Sequence, residues 1–260
     1  MSSYVWPGLG LYFGAYRKRC ASGKKCGQGH LPPYVNVTKM NSTTGAMMID
    51  RSGKRGAIFG KSGSGKTYYA KNNIVKGMDR VIAFDPEEEF ADMPGFVAVS
   101  SLQRLADLAL DCWEGNFRIA YLPSPGREEQ ELSEVSRLIE RYQEPYRAGK
   151  SNDKVTLVVD ELNLSFPLNP KPQNDGFARL CSRGRKRGVN LIGISQRPAE
   201  VSTRFRGNLD RMAVFELSLK NDWQAVAQYV GEDAHERLAK AGRFHHLAWD
   251  HAGVKLVAPT

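Results

Sequence analysis

The sequence predicts an α/β fold in which a mostly parallel central sheet is flanked by helices. From residue 56 onward, short runs rich in apolar and β-branched residues alternate with helical patterns, as in chains whose parallel strands are joined by crossover helices. A length of 260 residues, 41% of them hydrophobic, is enough for one such core with appendages. We therefore expect one α/β domain over residues 51–260, preceded by an N-terminal arm over residues 1–50.

Apolar runs predict the core strands, and several of them lack the alternation of a half-exposed strand. These runs cover residues 56–59, 80–85, 117–122, 155–160, 190–195 and 212–217. Between the third and fourth runs, one apolar helical face predicts a covering helix that ends before Pro145. The residues of that face are Leu132, Val135, Leu138, Ile139 and Tyr142. The tail predicts a C-terminal hairpin at the sheet edge, pairing residues 245–249 with 254–257.

A phosphate-binding pattern follows the first predicted strand. Residues 60–67 match G-x-x-x-x-G-K-[ST], and a helical stretch over residues 67–76 comes after them. The loop consists of Gly60, Lys61, Ser62, Gly63, Ser64, Gly65, Lys66 and Thr67. Glycines let the backbone N–H groups turn inward, and the helix N-terminus adds positive dipole at the same place. The pattern predicts an ATP site, with the Lys66 ammonium on the phosphates and the Thr67 hydroxyl on Mg²⁺.

Two carboxylates follow the predicted strand at residues 155–160. Asp160 is expected to bind Mg²⁺ through water, and Glu161 to orient and polarise the attacking water. Taken alone, Glu161 also fits a helix-capping or surface carboxylate, but the P-loop in the same chain favours catalysis. About three strands' worth of sequence separates the P-loop from Asp160, whereas GTPases and small-molecule kinases usually place the metal-binding strand next to the P-loop strand. The spacing favours hydrolysis by a motor-type ATPase.

Gln196 ends the next predicted strand and precedes the turn at Pro198. An amide there can hydrogen-bond both the γ-phosphate and the attacking water, so Gln196 is predicted to sense the nucleotide state. The alternative is an ordinary polar residue at a strand end.

A basic segment surrounds this strand. Residues 179–211 contain nine Lys/Arg against two acidic residues. One interpretation is an arginine finger that reaches the ATP of a neighbouring subunit, and another is a stripe that contacts DNA phosphates. A solvated helical face is the third.

Together these blocks resemble the FtsK/HerA superfamily of DNA-pumping ATPases, and within it the genome-packaging ATPases of membrane-containing double-stranded DNA viruses. The resemblance runs from about residue 56 to 217. Its blocks are residues 60–67, Phe84-Asp85-Pro86 with Glu89, residues 157–161, and Gly184-Arg185-Lys186-Arg187-Gly188 leading to Ser195-Gln196-Arg197-Pro198. Asn208 and Arg211, before the last core strand, form a looser match.

The resemblance implies a RecA-like P-loop NTPase core that assembles as a ring, usually a hexamer, and moves double-stranded DNA through its centre. It aligns Arg185 with the family's arginine finger, with Arg183 and Arg187 as neighbours that could take this role. Relatives in cell division or conjugation commonly carry transmembrane segments, long linkers or extra domains, and their absence here favours packaging of a viral genome into a capsid. A plasmid or conjugative DNA pump, a P-loop kinase for a small molecule, and a non-motor assembly factor are the alternatives.

The arm over residues 1–50 matches no part of that family. The chain has a formal net charge of +9, and residues 1–49 contain six Lys/Arg and no acidic residue, which favours a polyanionic partner. The aromatic stretch at residues 4–16 is too short for a membrane-spanning helix and is expected to pack on the core or a neighbouring subunit. The alternative is that it lies on a membrane or docks the chain to a partner, such as a capsid vertex or a membrane protein. Cys20, Cys26 and His30 are weak zinc candidates, since a fourth ligand is missing nearby. Four cysteines without a secretory leader predict reduced thiols, in the host cytoplasm or the virion.

Overall fold

A nine-stranded sheet forms the centre of the structure, a computed structural model that describes residues 52–113 and 115–259. The predicted arm, including its aromatic stretch and Cys20, Cys26 and His30, lies outside the described residues. The arm, the zinc candidates and the boundary near residue 50 therefore remain predictions.

The strands follow the order β3-β4-β2-β5-β6-β1-β7-β8-β9 across the sheet. Neighbours from β3 to β7 are parallel, whereas β8 and β9 add an antiparallel edge. The strands are β1 (Arg55–Phe59), β2 (Arg80–Phe84), β3 (Val97–Val99), β4 (Phe117–Tyr121), β5 (Val155–Val159), β6 (Val189–Ser195), β7 (Arg211–Val214), β8 (His246–Asp250) and β9 (Gly253–Val257).

Helices connect the strands. They are α1 (Lys66–Tyr69), α2 (Leu102–Asp111), α3 (Glu128–Tyr142), α4 (Glu144–Arg147), α5 (Leu162–Ser165), α6 (Gly176–Arg183), α7 (Thr203–Arg206), α8 (Lys220–Val230) and α9 (Ala234–Ala241). A π-helical turn (Ala70–Ile74) and a 3-10 turn (Val75–Gly77) continue α1, and further 3-10 turns cover Gly184–Arg187 and Pro198–Glu200.

The two faces of the sheet have cores of different size. The larger core packs under α2, α3, α6 and α8, with fully buried side chains such as Leu105, Leu132 and Phe177. The smaller core lies under α1 and its continuation, and contains Ile58, Val158 and Phe90. The five residues of β5 are all buried, because both faces of this strand are covered.

The predicted fold class is confirmed, and each predicted strand is present with ends that differ by a few residues. The C-terminal hairpin and the covering helix are also present. The sequence interpretation missed β3, which has only three residues, two of them exposed. The helical stretch predicted over residues 67–76 is present, as α-helix to Tyr69, a π-helical turn to Ile74 and a 3-10 turn to Gly77.

The strand order determines which loops meet. Because neighbouring strands from β3 to β7 are parallel, the loops after β1, β2, β5 and β6 lie at one edge of the sheet. Strand β6 lies between β1 and β5, so the strand that ends at Asp160 is not adjacent to the P-loop strand.

Candidate functional site

The phosphate loop joins the end of β1 to the start of α1, and its backbone turns through two glycines. Gly63 has φ of 69°, and Gly65 has φ of 99° directly before the first residue of α1. These are left-handed conformations, which glycine adopts without the steric cost that a Cβ brings. The loop is therefore shaped by the residues that its motif requires.

Gly60 is required for a different reason, namely close packing. A Cβ at this position would lie 2.6 Å from both Phe215 Cβ and Ser64 Oγ. Ser64 Oγ is buried and has no hydrogen-bond partner among the described residues. A buried hydroxyl of this kind, inside a glycine-lined cradle, fits a site built for a ligand with acceptor oxygens.

Lys66 is buried at the base of the loop, with only 7% of its surface exposed. Its Nζ donates to the Lys61 carbonyl oxygen at 3.0 Å. Burial lowers the pKa of Lys66, and the nearby Glu161 and Asp160 carboxylates oppose this effect. The ammonium group thus faces the acidic side of the site.

The other loop residues predicted to bind nucleotide are more exposed. Lys61 forms an ion pair with Glu216 at 2.7 Å, and its backbone N–H donates to the Glu216 carbonyl. Ser62 is exposed and Thr67 is half-buried, one residue into α1. The segment just after β7 therefore contacts the phosphate loop through Glu216.

Asp160 and Glu161 follow β5, as the sequence predicts. Asp160 is 4% exposed, and one of its carboxylate oxygens accepts from the Glu161 backbone N–H at 3.0 Å. Burial raises the pKa of Asp160 to about 7, with further contributions from the Glu161, Asp85 and Glu89 charges. Burial and the neighbouring carboxylates both disfavour the charged form of Asp160, which a bound cation would favour.

Glu161 has a backbone conformation that is rare for its residue type. Its φ of 41° and ψ of 53° lie in the left-handed region, where a non-glycine residue is strained. Its side chain accepts a hydrogen bond from Gln196 Nε2 at 2.7 Å. The structure thus brings the predicted base and the predicted sensor into direct contact.

The turn after Gln196 is held by a residue that the sequence interpretation did not single out. Asp222, 1% exposed at the start of α8, accepts from Arg197 Nε and from the Ala199 backbone N–H, both at 3.0 Å. On the preceding side, Ser195 Oγ donates to Asn163 Oδ1 at 2.7 Å. The signal for Asp222 was absent from the sequence because its partners lie more than twenty positions away.

Asp85 and Glu89, from the second predicted block, border the same edge. Asp85 is fully buried, and one carboxylate oxygen accepts from the Phe90 and Ala91 backbone N–H groups at 2.8 Å. Glu89 forms an ion pair with Lys71 at 2.7 Å. Asp85 thereby fixes the loop that follows β2.

The basic cluster lies at the opposite edge of the sheet, where β6 begins. Arg185 pairs with Asp210, and Arg187 pairs with Glu140 and Glu144. Arg183 and Lys186 are exposed and have no ion-pair partner within residues 52–113 and 115–259. The structure therefore does not bring Arg185 to the other predicted site residues of its own chain.

A glycine-rich loop joins β1 to α1, and Asp160 follows β5, which is separated from β1 by the single strand β6. This arrangement defines a P-loop NTPase fold. Solved structures agree. The genome packaging NTPase B204 from Sulfolobus turreted icosahedral virus 2, in complex with ATP-gammaS, has a TM-score of 0.61 at 17% identity over 82% of this chain and 100% of that chain. Its complex with AMPPCP gives 0.62 at 17% identity, over 80% and 98% of the two chains.

A second kind of neighbour is VirB4 of Thermoanaerobacter pseudethanolicus, with a TM-score of 0.54 at 15% identity over 84% of this chain and 91% of that chain. At these identities the likeness concerns the fold, and it agrees with the resemblance found in the sequence. No protein-family model matches the chain, and no curated protein matches it significantly. Within the described residues, no helix is both long enough and apolar enough to cross a bilayer.

Proposed function

We propose that this chain is an ATPase that translocates double-stranded DNA and packages a viral genome into a capsid. The observation that carries the proposal is the hydrogen bond between Gln196 and Glu161. Gln196 follows β6, which lies between the P-loop strand β1 and the strand β5 that leads to Asp160. The amide of the predicted sensor is thus hydrogen-bonded to the carboxylate that would activate water. The likeness to a genome packaging NTPase in complex with ATP-gammaS and with AMPPCP supports the same function.

ATP fits the loop as its substrate. Gly63 and Gly65 turn the loop through left-handed conformations, and Gly60 allows its close packing against Phe215. Ser64 Oγ has its hydrogen-bonding capacity unused among the described residues. Lys66 supplies positive charge at the floor of the cradle. In binding phosphate, Lys66 Nζ would exchange the Lys61 carbonyl for a charged acceptor, which forms a stronger hydrogen bond.

The donor set also fits Mg²⁺, which prefers oxygen ligands and usually takes only one or two carboxylates from a protein besides water and phosphate. Thr67 would contribute its hydroxyl, and Asp160 its carboxylate through water. When bound, the ion neutralises charge that develops on the transferred phosphoryl group. Within the described residues no cluster of three or more His, Cys, Asp or Glu forms an all-protein metal site.

Glu161 would accept a proton from the attacking water. Its strained backbone holds the carboxylate at the strand end, and the Gln196 amide fixes one of its oxygens. Gln196 can therefore couple the position of the base to the presence of the γ-phosphate. We propose that copies of the chain form a ring, with a hexamer as the expected state, and that the N-terminal arm docks it to a capsid vertex or a membrane protein.

The test is ATP hydrolysis by the full chain with and without duplex DNA, alongside its oligomeric mass with nucleotide. We expect Glu161→Gln to abolish hydrolysis and to retain ATP binding. Glu236→Gln, an exposed change on α9, is the matched control and should hydrolyse ATP like the parent. Hydrolysis that ignores DNA at every salt concentration would refute translocation, while phosphate transfer to an acceptor with little free hydrolysis would indicate a kinase.

A further inference from the structure

An aromatic pocket adjoins the phosphate loop on the side where α1 begins. Its volume is about 340 Å³, within the range of small-molecule sites. Gly65 forms part of its wall, so the pocket lies directly beside the phosphate loop. Most of the remaining lining is aromatic, supplied by Tyr68, Tyr69, Phe215, Phe244 and His246.

The floor of the pocket is a packed set of rings. The Tyr69 and Phe215 ring centres lie 4.6 Å and 4.8 Å from the His246 ring centre, and 5.7 Å from each other. Phe215 is 2% exposed and His246 is 4% exposed. Such a floor is rigid, and it offers an apolar surface to a ligand.

Phe244, on the rim, is both exposed and strained. It is 47% exposed, and its φ of 64° lies in the left-handed region, where a bulky non-glycine residue is an outlier. A Cβ built on Gly65 would lie 3.3 Å from Phe244 Cδ1, so this ring lies directly against the phosphate loop. An exposed aromatic ring held there at a conformational cost indicates a binding role.

We propose that this pocket binds the base of the nucleoside triphosphate whose phosphates the P-loop holds, with Phe244 stacking on a purine. The inference rests on the proposed function, because it assumes that residues 60–67 bind the triphosphate. Stacking uses the flat π-face that every base offers, and a purine buries more ring area than a pyrimidine. The C-terminal segment thus contributes to substrate binding as well as to the sheet.

The test compares ATP with sodium tripolyphosphate, which has the phosphates and no base, by calorimetric titration of the full chain. The parent should bind ATP more tightly than tripolyphosphate, with CTP between them. Phe244→Ala should weaken ATP binding about tenfold and leave tripolyphosphate binding unchanged. Phe244→Trp should retain ATP affinity, and its added fluorescence should respond to ATP and not to tripolyphosphate.

Leu256→Ala is the matched control, since this side chain is 46% exposed on β9 and lies outside the pocket. It should bind both ligands like the parent. Equal affinity of the parent for ATP and tripolyphosphate, or full ATP affinity in Phe244→Ala, would overturn the base site and leave the phosphate site standing. A parent chain that binds neither ligand would overturn both.

Discussion

At Glu161, the position of a single carboxylate is gained at a cost in folding stability. Its carboxylate is held by Gln196, but its backbone lies in the left-handed region, at φ of 41°. For a residue with a Cβ, this conformation costs on the order of 1 kcal/mol or more. The strain is local, so a substitution can remove it without changing the core.

We therefore predict that Glu161→Gly unfolds at higher urea concentration than Glu161→Ala. Both variants lose the carboxylate and hydrolysis, but only glycine adopts the left-handed conformation freely. The expected difference in the free energy of unfolding is about 1 kcal/mol in favour of glycine. Equal stability of the two, or a more stable alanine variant, would show that this backbone is unstrained in solution.

His246 gives a prediction about pH. Burial lowers its pKa below the ordinary value of 6.5, and His245 adds to this effect. Below that ordinary value the unfolded chain binds more protons than the folded chain at this site, so the free energy of unfolding falls as pH decreases through 6.5. We expect His246→Gln to lose less stability than the parent between pH 7.5 and pH 5.5, as measured by urea unfolding. His235→Gln, at an exposed position on α9, is the comparison; an equal effect from both would contradict the prediction.

At the scale of elements, α8 is tied to the sensor strand through a buried carboxylate. Asp222 bridges the Arg197 side chain and the Ala199 backbone N–H, on either side of Pro198. Because Gln196 is the residue before Arg197, the bridge limits how the sensor amide can move relative to Glu161. Asp222 is a positioning residue, since it contacts Gln196 only through this turn.

Asp222→Asn is expected to lower kcat for ATP hydrolysis and to leave KM nearly unchanged. The amide still accepts from Ala199, but the charge that holds Arg197 is lost, with a stability cost of about 1–2 kcal/mol for this partly exposed pair. Glu200→Gln removes only the exposed partner of Arg197, and should cost less than about 0.5 kcal/mol. An unchanged kcat in a folded Asp222→Asn variant would refute the positioning role.

The local patterns were sufficient to predict most elements of this fold. The motif at residues 60–67, the buried strand β5 and the amphipathic face of α3 all follow from spacing within one segment. In contrast, β3 has too few residues to show the apolar–polar alternation of a strand, and its pairing with β4 is a tertiary contact. The strain at Glu161, the Asp222 bridge and the aromatic pocket join distant parts of the chain, so no local pattern contains them.

At the scale of the whole molecule, charge is unevenly distributed. Residues 1–50 contain six Lys/Arg and one acidic residue, so they supply five of the nine net positive charges. In the α/β domain, many basic side chains near β6 are neutralised within the chain, as Arg185 is by Asp210 and Arg187 by Glu140. The net charge that favoured a polyanionic partner therefore belongs mainly to the arm.

The ion pairs near β6 also indicate which arginine is free to act on a neighbouring subunit. Reaching another chain would cost Arg185 and Arg187 their ion pairs, and Arg187 is only 11% exposed. Arg183 is exposed and has no ion-pair partner among the described residues. We therefore favour Arg183 over Arg185, the residue that the resemblance aligns best.

Arg183→Ala should abolish hydrolysis with little change in thermal stability. Arg187→Ala should destabilise the chain, because it leaves the buried Glu140 carboxylate with the more exposed Arg179 as its ion-pair partner. If Arg183 acts between subunits, mixing Arg183→Ala with Glu161→Gln should restore part of the activity, since some interfaces then combine an intact Glu161 with an intact Arg183 from the neighbour. The measurement is steady-state ATP hydrolysis of the mixed and unmixed proteins at equal total concentration. Absence of recovery, with mixed oligomers verified by mass, would exclude Arg183 as a residue acting in trans.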